Sequence, residues 1–269
     1  KKKNVLKDEE KPLQESSYDL KFSVLELQEA TNAAQQAAIA ISKKERGEYK
    51  ENELEEGIND PGIFKAVFLA GGPGSGKSFV SKKLLAGHGL KVVNSDDIFE
   101  YMLKKAGLEP DPETIFSPQG QEIRNKAKEI TGRKQSMHLD GRLGLIIDGT
   151  GKDVEKVQKA KDALSEIGYD TMMVFVNTDL DIAQKRNMMR ARKLEPNVVE
   201  KMWQAVQSNL MKFQQVFGAQ NFHIVDNSGG LEDTNRAENF ANVEKEIRKF
   251  LASEPKSQAA KKWIEDQRN

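Results

Sequence analysis

The sequence predicts an α/β fold of three layers, in which a mainly parallel five-stranded sheet lies between helices and a helical extension precedes it at the N-terminus. The first observation is that five apolar runs alternate with helical patterns from residue 63 onward, which is the pattern of βα units. The second is the segment 71–78, GGPGSGKS, which fits GxxxxGK[ST] between the first apolar run and a helical pattern. Together they predict a strand, a phosphate-binding loop and a helix at the start of the sheet.

The apolar runs are short, and the stretches between them carry apolar residues at helical spacing. A sheet built from such units gathers the carboxyl ends of its strands, and hence its ligands, at one edge. The predicted strands cover residues 64–70, 90–94, 143–148, 171–177 and 222–226. The predicted helices cover residues 76–86, 97–106, 119–139, 154–167, 182–193, 197–217 and 235–252.

Changes in composition divide the chain into three predicted parts. Residues 1–60 form a polar arm with one amphipathic helix over 19–41, residues 61–252 form the main domain, and residues 253–269 form a tail or a peripheral helix. The turn signal NDPG at 59–62 marks the start of the main domain. The helix over 19–41 either packs on the main domain or serves as a docking arm for a protein partner.

Composition excludes several classes of protein. The chain has 42 basic and 42 acidic residues, so no overall charge favours nucleic acid as a partner. It has no cysteine, which excludes disulfides, thiolate zinc sites and a cysteine nucleophile. No stretch approaches the roughly 18 to 20 apolar residues of a membrane span. We therefore expect a soluble, cytoplasmic protein.

The segment 71–78 carries the most specific chemistry. Its glycines let the backbone point N–H groups at a polyphosphate. Lys77 adds a mobile positive charge near the β and γ phosphates, and the Ser78 hydroxyl is a ligand for Mg²⁺. The predicted cofactors are therefore ATP or GTP, together with Mg²⁺. The residues predicted to bind the nucleotide are Gly72, Gly74, Ser75, Gly76, Lys77, Ser78 and Phe79.

Two carboxylates, Asp96 and Asp97, follow the second predicted strand. A carboxylate at this edge can accept the proton of a substrate hydroxyl that attacks a γ phosphate, or can hold that hydroxyl by a hydrogen bond. Asp96 is the predicted general base, and Asp97 is a predicted substrate contact. The alternative is that Ser95 or Asp96 caps the helix that follows.

Asp148 ends the third predicted strand, which the usual topology of such sheets places beside the first. A carboxylate in this position can hold Mg²⁺ through a water molecule. Thr150, two residues later, can contact the substrate or a phosphate. The alternative is a capped turn before the next helix.

A basic segment, residues 185–193, precedes the turn-like sequence LEPN. The helix predicted over 182–193 puts Arg186 and Arg190 on one face. Guanidinium groups on a mobile lid can close over the γ phosphate and stabilise its charge during transfer. Arg190 is the first choice for this lid arginine, and Arg186 or Arg192 is the second. The alternative is a solvated basic face at a helix end.

The long helix predicted over 119–139 and the turn after it carry a strip of basic residues with glutamates among them. This pattern favours a solvated helix face. The alternative is that the strip lines an anionic or phosphorylated substrate. The basic residues are Arg124, Lys126, Lys128, Arg133, Lys134 and Arg142.

The order of these motifs resembles the zeta-toxin and polynucleotide-kinase branch of the P-loop kinases. The shared segments are GGPGSGKS, NSDD, LIIDGT, the arginine-bearing segment and a terminal VDNS, between about residues 63 and 228. The resemblance implies a P-loop kinase fold and a bacterial or phage source. It also implies phosphate and Mg²⁺ binding by Lys77 and Ser78, proton transfer by Asp96, and a lid arginine at Arg190 or a neighbour.

The chain departs from that branch at two positions. Phe99 stands where the polynucleotide kinases tend to carry an arginine that holds the substrate phosphate, which argues against a simple 5′-end kinase. Asp148 replaces the glutamate that is usual in zeta toxins, so the sugar-nucleotide acceptor of those toxins is not implied.

We predict an ATP-dependent phosphotransferase that moves the γ-phosphoryl group to a hydroxyl of a sugar nucleotide, a nucleic acid or a small metabolite. One alternative is a P-loop NTPase switch, although the third strand ends in Asp148-Gly149 without the adjacent glutamate common in that class. The other is a nucleotide-binding structural or docking protein that uses the helix over 19–41 as its contact.

Overall fold

The computed structural model describes residues 59, 60, 62–190, 193–229 and 233–268. Nearly all of the predicted N-terminal arm, including the helix predicted over 19–41, lies outside these residues, and so does Arg192. Within the described part of the chain, no helix combines the length and the apolar character needed to cross a membrane.

Strands and helices alternate along the described residues as predicted. The strands are β1 (Lys65–Ala70), β2 (Lys91–Val93), β3 (Leu145–Asp148), β4 (Asp170–Asn177) and β5 (Phe222–Asp226). The helices before β3 are α1 (Lys77–Val80, continued as a π-helix over Ser81–Leu85), α2 (Ser95–Lys105), α3 (Pro112–Phe116) and α4 (Pro118–Asp140). The helices after β3 are α5 (Val154–Glu166), α6 (Leu180–Met188), α7 (Pro196–Gln207), α8 (Leu210–Phe217), α9 (Thr234–Ala252) and α10 (Gln258–Arg268).

The sheet has the strand order β2-β3-β1-β4-β5, and each pair of neighbours is parallel. The predicted five-stranded parallel sheet is therefore confirmed. β3 lies beside β1 in a register that places Asp148 opposite Leu69. Because the strands are parallel, the carboxyl ends of β1, β2 and β3 meet at one edge, where the segment 71–78 begins.

Helices cover both faces of the sheet. β1 is buried along its whole length, and its successive side chains point to opposite faces. Val67 belongs to a core cluster that includes Val80 of α1 and Ile247 of α9. Phe68 belongs to the cluster on the other face, where its ring centroid lies 5.2 Å from that of Phe217 in α8. This arrangement confirms the three-layer architecture.

Helices α2, α3 and α4 form a separate hydrophobic cluster next to the sheet. The sequence analysis did not predict α3. Its start is defined by Asp111, whose side chain accepts from the Thr114 N–H at 2.8 Å, and by Pro112 in the first turn. The buried residues of the cluster are Ile98, Phe99, Leu103, Ile115 and Ala127.

The helix predicted over 182–193 ends at Met188, because a buried side chain takes over the hydrogen bonds of the next segment. Asn187, 0% exposed, donates through Nδ2 to the Leu194 carbonyl oxygen at 2.7 Å. Its Oδ1 accepts from the Leu194 N–H at 3.0 Å. Arg190 therefore does not share a helix face with Arg186, and that prediction is wrong.

The single helix predicted over 197–217 consists of two helices, α7 and α8. Between them, the buried Asn209 donates through Nδ2 to the carbonyl oxygens of Gly151 and Lys152, at 3.1 and 3.0 Å. These bonds hold the chain to the loop after β3, and apolar spacing carries no signal for them.

Residues 253–269 were predicted to form a tail or a peripheral helix, and α10 within this segment is a peripheral helix. The Trp263 ring of α10 meets Phe64 edge-on, with centroids 5.5 Å apart. Beside it, the buried Lys65 donates to Asp170 at 2.7 Å and to the Ser253 hydroxyl at 3.0 Å. This charge pair fixes the segment between α9 and α10 to the amino end of the sheet.

Candidate functional site

The segment 71–78 forms a tight loop that leads from β1 into α1, and two of its glycines are required by its geometry. Gly74 and Gly76 have φ angles of 75° and 84°, a region that side chains strongly disfavour. A Cβ atom on Gly74 would collide with the Ala183 backbone, and one on Gly76 would collide with the Asn227 amide. The loop is therefore packed against α6 and against the end of β5.

The loop is also fixed by hydrogen bonds to the ends of β4 and β5. The Ser75 carbonyl oxygen accepts from Asn227 Nδ2 at 2.7 Å and from the Thr178 hydroxyl at 3.0 Å. Trp203 of α7 donates through Nε1 to the Thr178 carbonyl oxygen at 2.7 Å. Thr178 and the Trp203 bond were not predicted, since neither residue belongs to a local motif. These bonds preorganise the backbone that would surround a phosphate.

Lys77 lies at the centre of the site. Its Nζ donates to the Gly71 carbonyl oxygen at 2.7 Å. Burial lowers the pKa of Lys77, the negative charges of Asp148 and Asp96 oppose this shift, and the positive charge of Arg190 adds to it. The structure thus brings Asp96, Asp148 and Arg190, three of the predicted site residues, within electrostatic reach of Lys77.

The two carboxylate oxygens of Asp148 differ in their hydrogen bonds to the described residues. Its Oδ2 accepts from Asn94 Nδ2 at 3.2 Å, whereas the buried Oδ1 has no hydrogen-bond partner among the described residues. Burial raises the pKa of Asp148, the nearby Asp96 raises it further, and Lys77 opposes the shift. A buried carboxylate oxygen of this kind is suited to a positively charged ligand.

Asn94 links Asp148 to the start of α2. Its Oδ1 accepts from the Asp96 N–H at 2.9 Å, so Asn94 caps α2. The alternative that Ser95 or Asp96 is the cap is therefore wrong. The role of Asn94 was not predicted, although an asparagine directly before a helix is a recognisable cap signal. The Asp96 side chain is left to face solvent, 63% exposed.

Asp97 lies next to the other carboxylates of this edge. Burial raises its pKa, and the negative charges of Asp148, Glu100 and Asp96 raise it further, against the opposing charge of Lys134. Like charges at close range and burial both favour the protonated form of a carboxyl group. Asp97 thus belongs to the same electrostatic cluster as the predicted base.

The two described lid arginines approach the loop from different segments. Arg186 of α6 is near Gly76, and its Nη1, 3.6 Å from the position of a Cβ there, is buried without a hydrogen-bond partner among the described residues. Burial and the positive charge of Arg236 lower the pKa of Arg186. Arg190 is exposed beyond the end of α6, and its backbone N–H donates to Asn187.

The remaining predicted residues lie around the loop. The Ser78 side chain is exposed at the start of α1, and the Thr150 carbonyl oxygen accepts from the Gly71 N–H at 3.3 Å. The Phe79 ring packs against Phe240 of α9, with centroids 6.1 Å apart. Its side chain thus supports the surroundings of the loop, and a nucleotide contact remains a prediction.

Arg236 is a further residue that sequence reasoning missed. Its guanidinium carbon lies 5.3 Å from the centroid of the Phe79 ring, and its Nη2 donates to Asn227 Oδ1 at 2.7 Å. Since the amide of Asn227 also holds the Ser75 carbonyl oxygen, Arg236 orients this contact. No residue spacing in the sequence links Arg236 to the phosphate loop, which lies far earlier in the chain.

The residues present fit a magnesium ion of the kind that nucleotide sites use. The described residues contain no group of three or more His, Cys, Asp or Glu side chains arranged for a metal. A magnesium ion of an NTP site needs fewer, because nucleotide oxygens and water supply most of its ligands. The unbonded Oδ1 of Asp148 and the exposed hydroxyl of Ser78 are oxygen ligands of the required type.

Residues 67–216 match a protein-family model, AAA_33, that is described as an AAA domain. No curated protein sequence matches the chain. Among matching solved structures, the complex of AvrRxo1-ORF1 with AvrRxo1-ORF2 and sulphate ions is 14% identical, with a TM-score of 0.51 over 90% of this chain and 88% of that one. The same pair with ATP is 15% identical, with a TM-score of 0.50 over 88% and 87%.

A third matching structure is that of the PezAT chromosomal toxin-antitoxin system of Streptococcus pneumoniae. It is 12% identical, with a TM-score of 0.45, and the match covers 82% of this chain and 98% of that one. At such identities, structural likeness is evidence of fold alone. The family match covers more than half of the 269 residues. The chain therefore belongs to the AAA_33 family, and its fold is that of a P-loop kinase.

Proposed function

We propose that the protein is an ATP-dependent phosphotransferase that moves the γ-phosphoryl group to a hydroxyl acceptor. The observation that carries this proposal is the grouping at one edge of the sheet. There the phosphate loop with Lys77 lies beside the carboxylates Asp96 and Asp148 and the guanidinium of Arg190. A loop for the donor phosphates and a solvent-facing carboxylate for the acceptor are the two halves of a kinase site.

The donor half consists of the backbone of the segment 71–78, Lys77 and the arginines. The loop N–H groups and Lys77 would bind the β and γ phosphates, and Ser78 and Asp148 would hold Mg²⁺. The ion, when bound, neutralises charge on the phosphate oxygens. Arg186, beside Gly76, is positioned for an anionic part of the nucleotide. ATP and GTP both fit this chemistry, and one structural neighbour was solved with ATP.

The acceptor half is centred on Asp96, whose side chain is 63% exposed. The acceptor hydroxyl oxygen would attack the γ-phosphorus, a new P–O bond would form, and the bond to the β-phosphate oxygen would break. The hydroxyl proton would pass to the Asp96 carboxylate, and the electron pair would leave with the nucleoside diphosphate. Lys77 and Arg190 would stabilise the charge on the transferred group, and closure of the Arg190 segment would exclude water.

The direct test is transfer from γ-labelled ATP to a panel of sugar nucleotides, nucleic acids and small alcohols, with Mg²⁺ present. We expect label in one acceptor class and little release of free phosphate without an acceptor. Hydrolysis that needs no acceptor and responds to a partner or to DNA would instead favour an NTPase switch. If Lys77→Ala abolished nucleotide binding but left the biological role intact, a docking protein would be the better description.

Because the proposed donor is ATP, the proposed place of action is the cytoplasm of a bacterial or phage-infected cell, which is the source that the resemblance implies. The proposed partners are the nucleotide and the hydroxyl acceptor. A protein partner for residues 19–41 stays a prediction, since that segment lies outside the described residues.

The role of Asp148 can be tested by Asp148→Asn. We expect the Mg²⁺ concentration that supports half of the maximal ATP affinity to rise about tenfold or more, because the amide is a weaker ligand than a carboxylate. Calorimetric titration with ATP at several Mg²⁺ concentrations measures this without reference to turnover. Since burial raises the pKa of Asp148, the Mg²⁺ affinity of the unaltered protein should begin to fall at a higher pH than it would for an ordinary aspartate ligand.

The matched control is Asp162→Asn, which removes a solvent-facing carboxylate of α5 away from the site. It should leave the Mg²⁺ dependence unchanged. An Asp148→Asn variant with the Mg²⁺ dependence of the unaltered protein would contradict the metal assignment.

A further inference from the structure

A guanidinium group lies beside the proposed base on the acceptor side of the site. Arg124 extends from α4, and its guanidinium carbon is 4.4 Å from the centroid of the Phe99 ring in α2. Its Nη1 is 4.0 Å from Asp96 Oδ1, and 24% of its side chain is exposed. The aromatic ring thus holds this cation at the start of α2, next to the carboxylate that is proposed to receive the acceptor proton.

Arg124 has a donor group that the described residues leave without an acceptor. Its Nε is buried and has no hydrogen-bond partner among the described residues. The distance from Nη1 to Asp96 is too long for a hydrogen bond, so the pair is only an electrostatic contact. A buried N–H group without an acceptor costs free energy, which an oxyanion at this place would recover.

Arg124 differs from Arg133 and Lys126 of the same helix. Arg133 and Lys126 of α4 pair with glutamates one turn earlier and are 48% and 42% exposed, as expected for a solvated helix face. The predicted solvated face therefore holds for part of the basic strip but is wrong for Arg124. Sequence spacing could not separate the two cases, because the difference arises from the contact with Phe99 in another helix.

The carboxylates at this edge of the sheet mean that an acceptor with a negative group needs a protein cation beside it. Besides burial, the negative charges of Asp148 and Asp96 raise the pKa of Asp97, and that of Asp96 raises the pKa of Asp148, so the three carboxylates lie close together. An acceptor with a negative group would be repelled by these carboxylates unless a cation stood beside them. Lys77 interacts with Asp148 and Asp96 beside the phosphate loop, and Lys134 interacts with Asp97, whereas Arg124 is the cation in ion-pair contact with Asp96.

We infer that Arg124, stacked on Phe99, binds an oxyanion of the acceptor, a phosphate or a carboxylate close to the hydroxyl that is phosphorylated. The inference rests on the proposed function, and it narrows the substrate class to anionic alcohols. With the hydroxyl at hydrogen-bond distance from Asp96 and the oxyanion at hydrogen-bond distance from Arg124, the two groups lie within roughly 10 Å of each other. The planar guanidinium can bind two oxygens of such a group together, with Nε as one of the donors.

The test compares acceptor alcohols in three matched forms: neutral, carboxylate-bearing and phosphate-bearing. With γ-labelled ATP and the full chain, we expect the unaltered protein to prefer one of the anionic forms. Arg124→Gln should raise the KM for that form by about 10- to 100-fold, the range for a lost charged hydrogen bond, and should leave the neutral form unaffected. Arg124→Lys should recover part of the loss, and Arg133→Gln, the control on the same helix, should change nothing.

A binding measurement separates this inference from the proposed function. Inorganic phosphate is added to protein saturated with ADP, and the NMR signal of the Arg124 Nε–H group is followed. The signal is assigned by its absence from the spectrum of Arg124→Gln. We expect the signal to shift with saturation. Failure to label any acceptor while this shift occurs would refute the proposed function and leave the oxyanion site standing.

Three results would overturn the inference itself. The first is equal use of neutral and anionic acceptors by the unaltered protein. The second is an equal loss of activity with both forms in Arg124→Gln, which would make the stacked arginine structural, and the third is an Arg124 Nε–H signal that phosphate does not shift. The melting temperature of each variant shows whether the fold is retained.

Discussion

Asp96→Asn is expected to lower the rate of phosphoryl transfer by about 100- to 10,000-fold, the range for loss of a general base. The amide keeps the shape of the side chain but cannot accept the hydroxyl proton. Since Asn94 caps α2, the substitution removes no helix cap, and within the described part of the chain the exposed Asp96 side chain has only the 4.0 Å contact with Arg124. ATP affinity and the melting temperature should therefore stay as they are. Single-turnover transfer from γ-labelled ATP and calorimetric ATP binding measure the two effects separately.

Glu100→Gln is the matched control, because Glu100 lies one turn further along the same helix and is also exposed. It removes the same charge from the vicinity but should leave transfer within about threefold of the unaltered rate, as is usual for a surface charge. The transfer rate of Asp97→Asn should lie between those of Asp96→Asn and Glu100→Gln, since Asp97 belongs to the carboxylate cluster but is not the proposed base. Unchanged transfer in Asp96→Asn would refute the base assignment.

The parts of the site that the sequence predicts are those carried by local motifs. The loop and Lys77 follow from a fixed spacing of glycines, and Asp148 follows from an apolar strand that ends in a carboxylate. The position of β3 beside β1 then needed no tertiary information beyond the usual topology of such sheets. The register of β3 on β1 confirms it, with Asp148 opposite Leu69.

The parts that the sequence could not predict depend on side chains that meet across the fold. Thr178 and Asn227 hold the Ser75 carbonyl oxygen, but no spacing relates them to the loop. Asn187 and Asn209 end or divide helices through bonds to distant backbone groups, where apolar periodicity predicts that the helix continues. Apolar periodicity indicates which face of a helix is buried, but it does not indicate the hydrogen-bond partner of a buried asparagine side chain.

Asn94 is a different kind of omission. An asparagine at this place is a signal for a helix start, but the prediction assigned roles only to the residues after it, among them two carboxylates. The structure gives Asn94 both tasks, the cap of α2 and the bond to Asp148 Oδ2. The position of Asp96 is therefore fixed by its neighbour's side chain, which leaves its own carboxylate free for chemistry.

Lys77→Ala is expected to reduce phosphoryl transfer by at least about 100- to 1,000-fold, the range for removal of one preorganised group that stabilises transition-state charge. It should also weaken ATP binding by about 10- to 100-fold, as expected for a lost charged hydrogen bond. Adenosine should bind as before, because Lys77 lies at the phosphate loop, where its Nζ contacts Gly71. Parallel titrations with ATP, ADP and adenosine, and single-turnover transfer, measure these effects.

The control for Lys77→Ala is Lys82→Ala, which removes an exposed lysine of the same helix one and a half turns later. Its effect on ATP affinity should be small, because a solvated charge at that distance is screened. Lys77→Ala itself should retain the fold, since the partly buried Asp148, with its raised pKa, can become neutral when the lysine charge is lost. Equal losses for ATP and adenosine would show that the variant had damaged the whole pocket. Retained transfer in a folded Lys77→Ala variant would mean that the loop binds phosphate without catalysing its transfer.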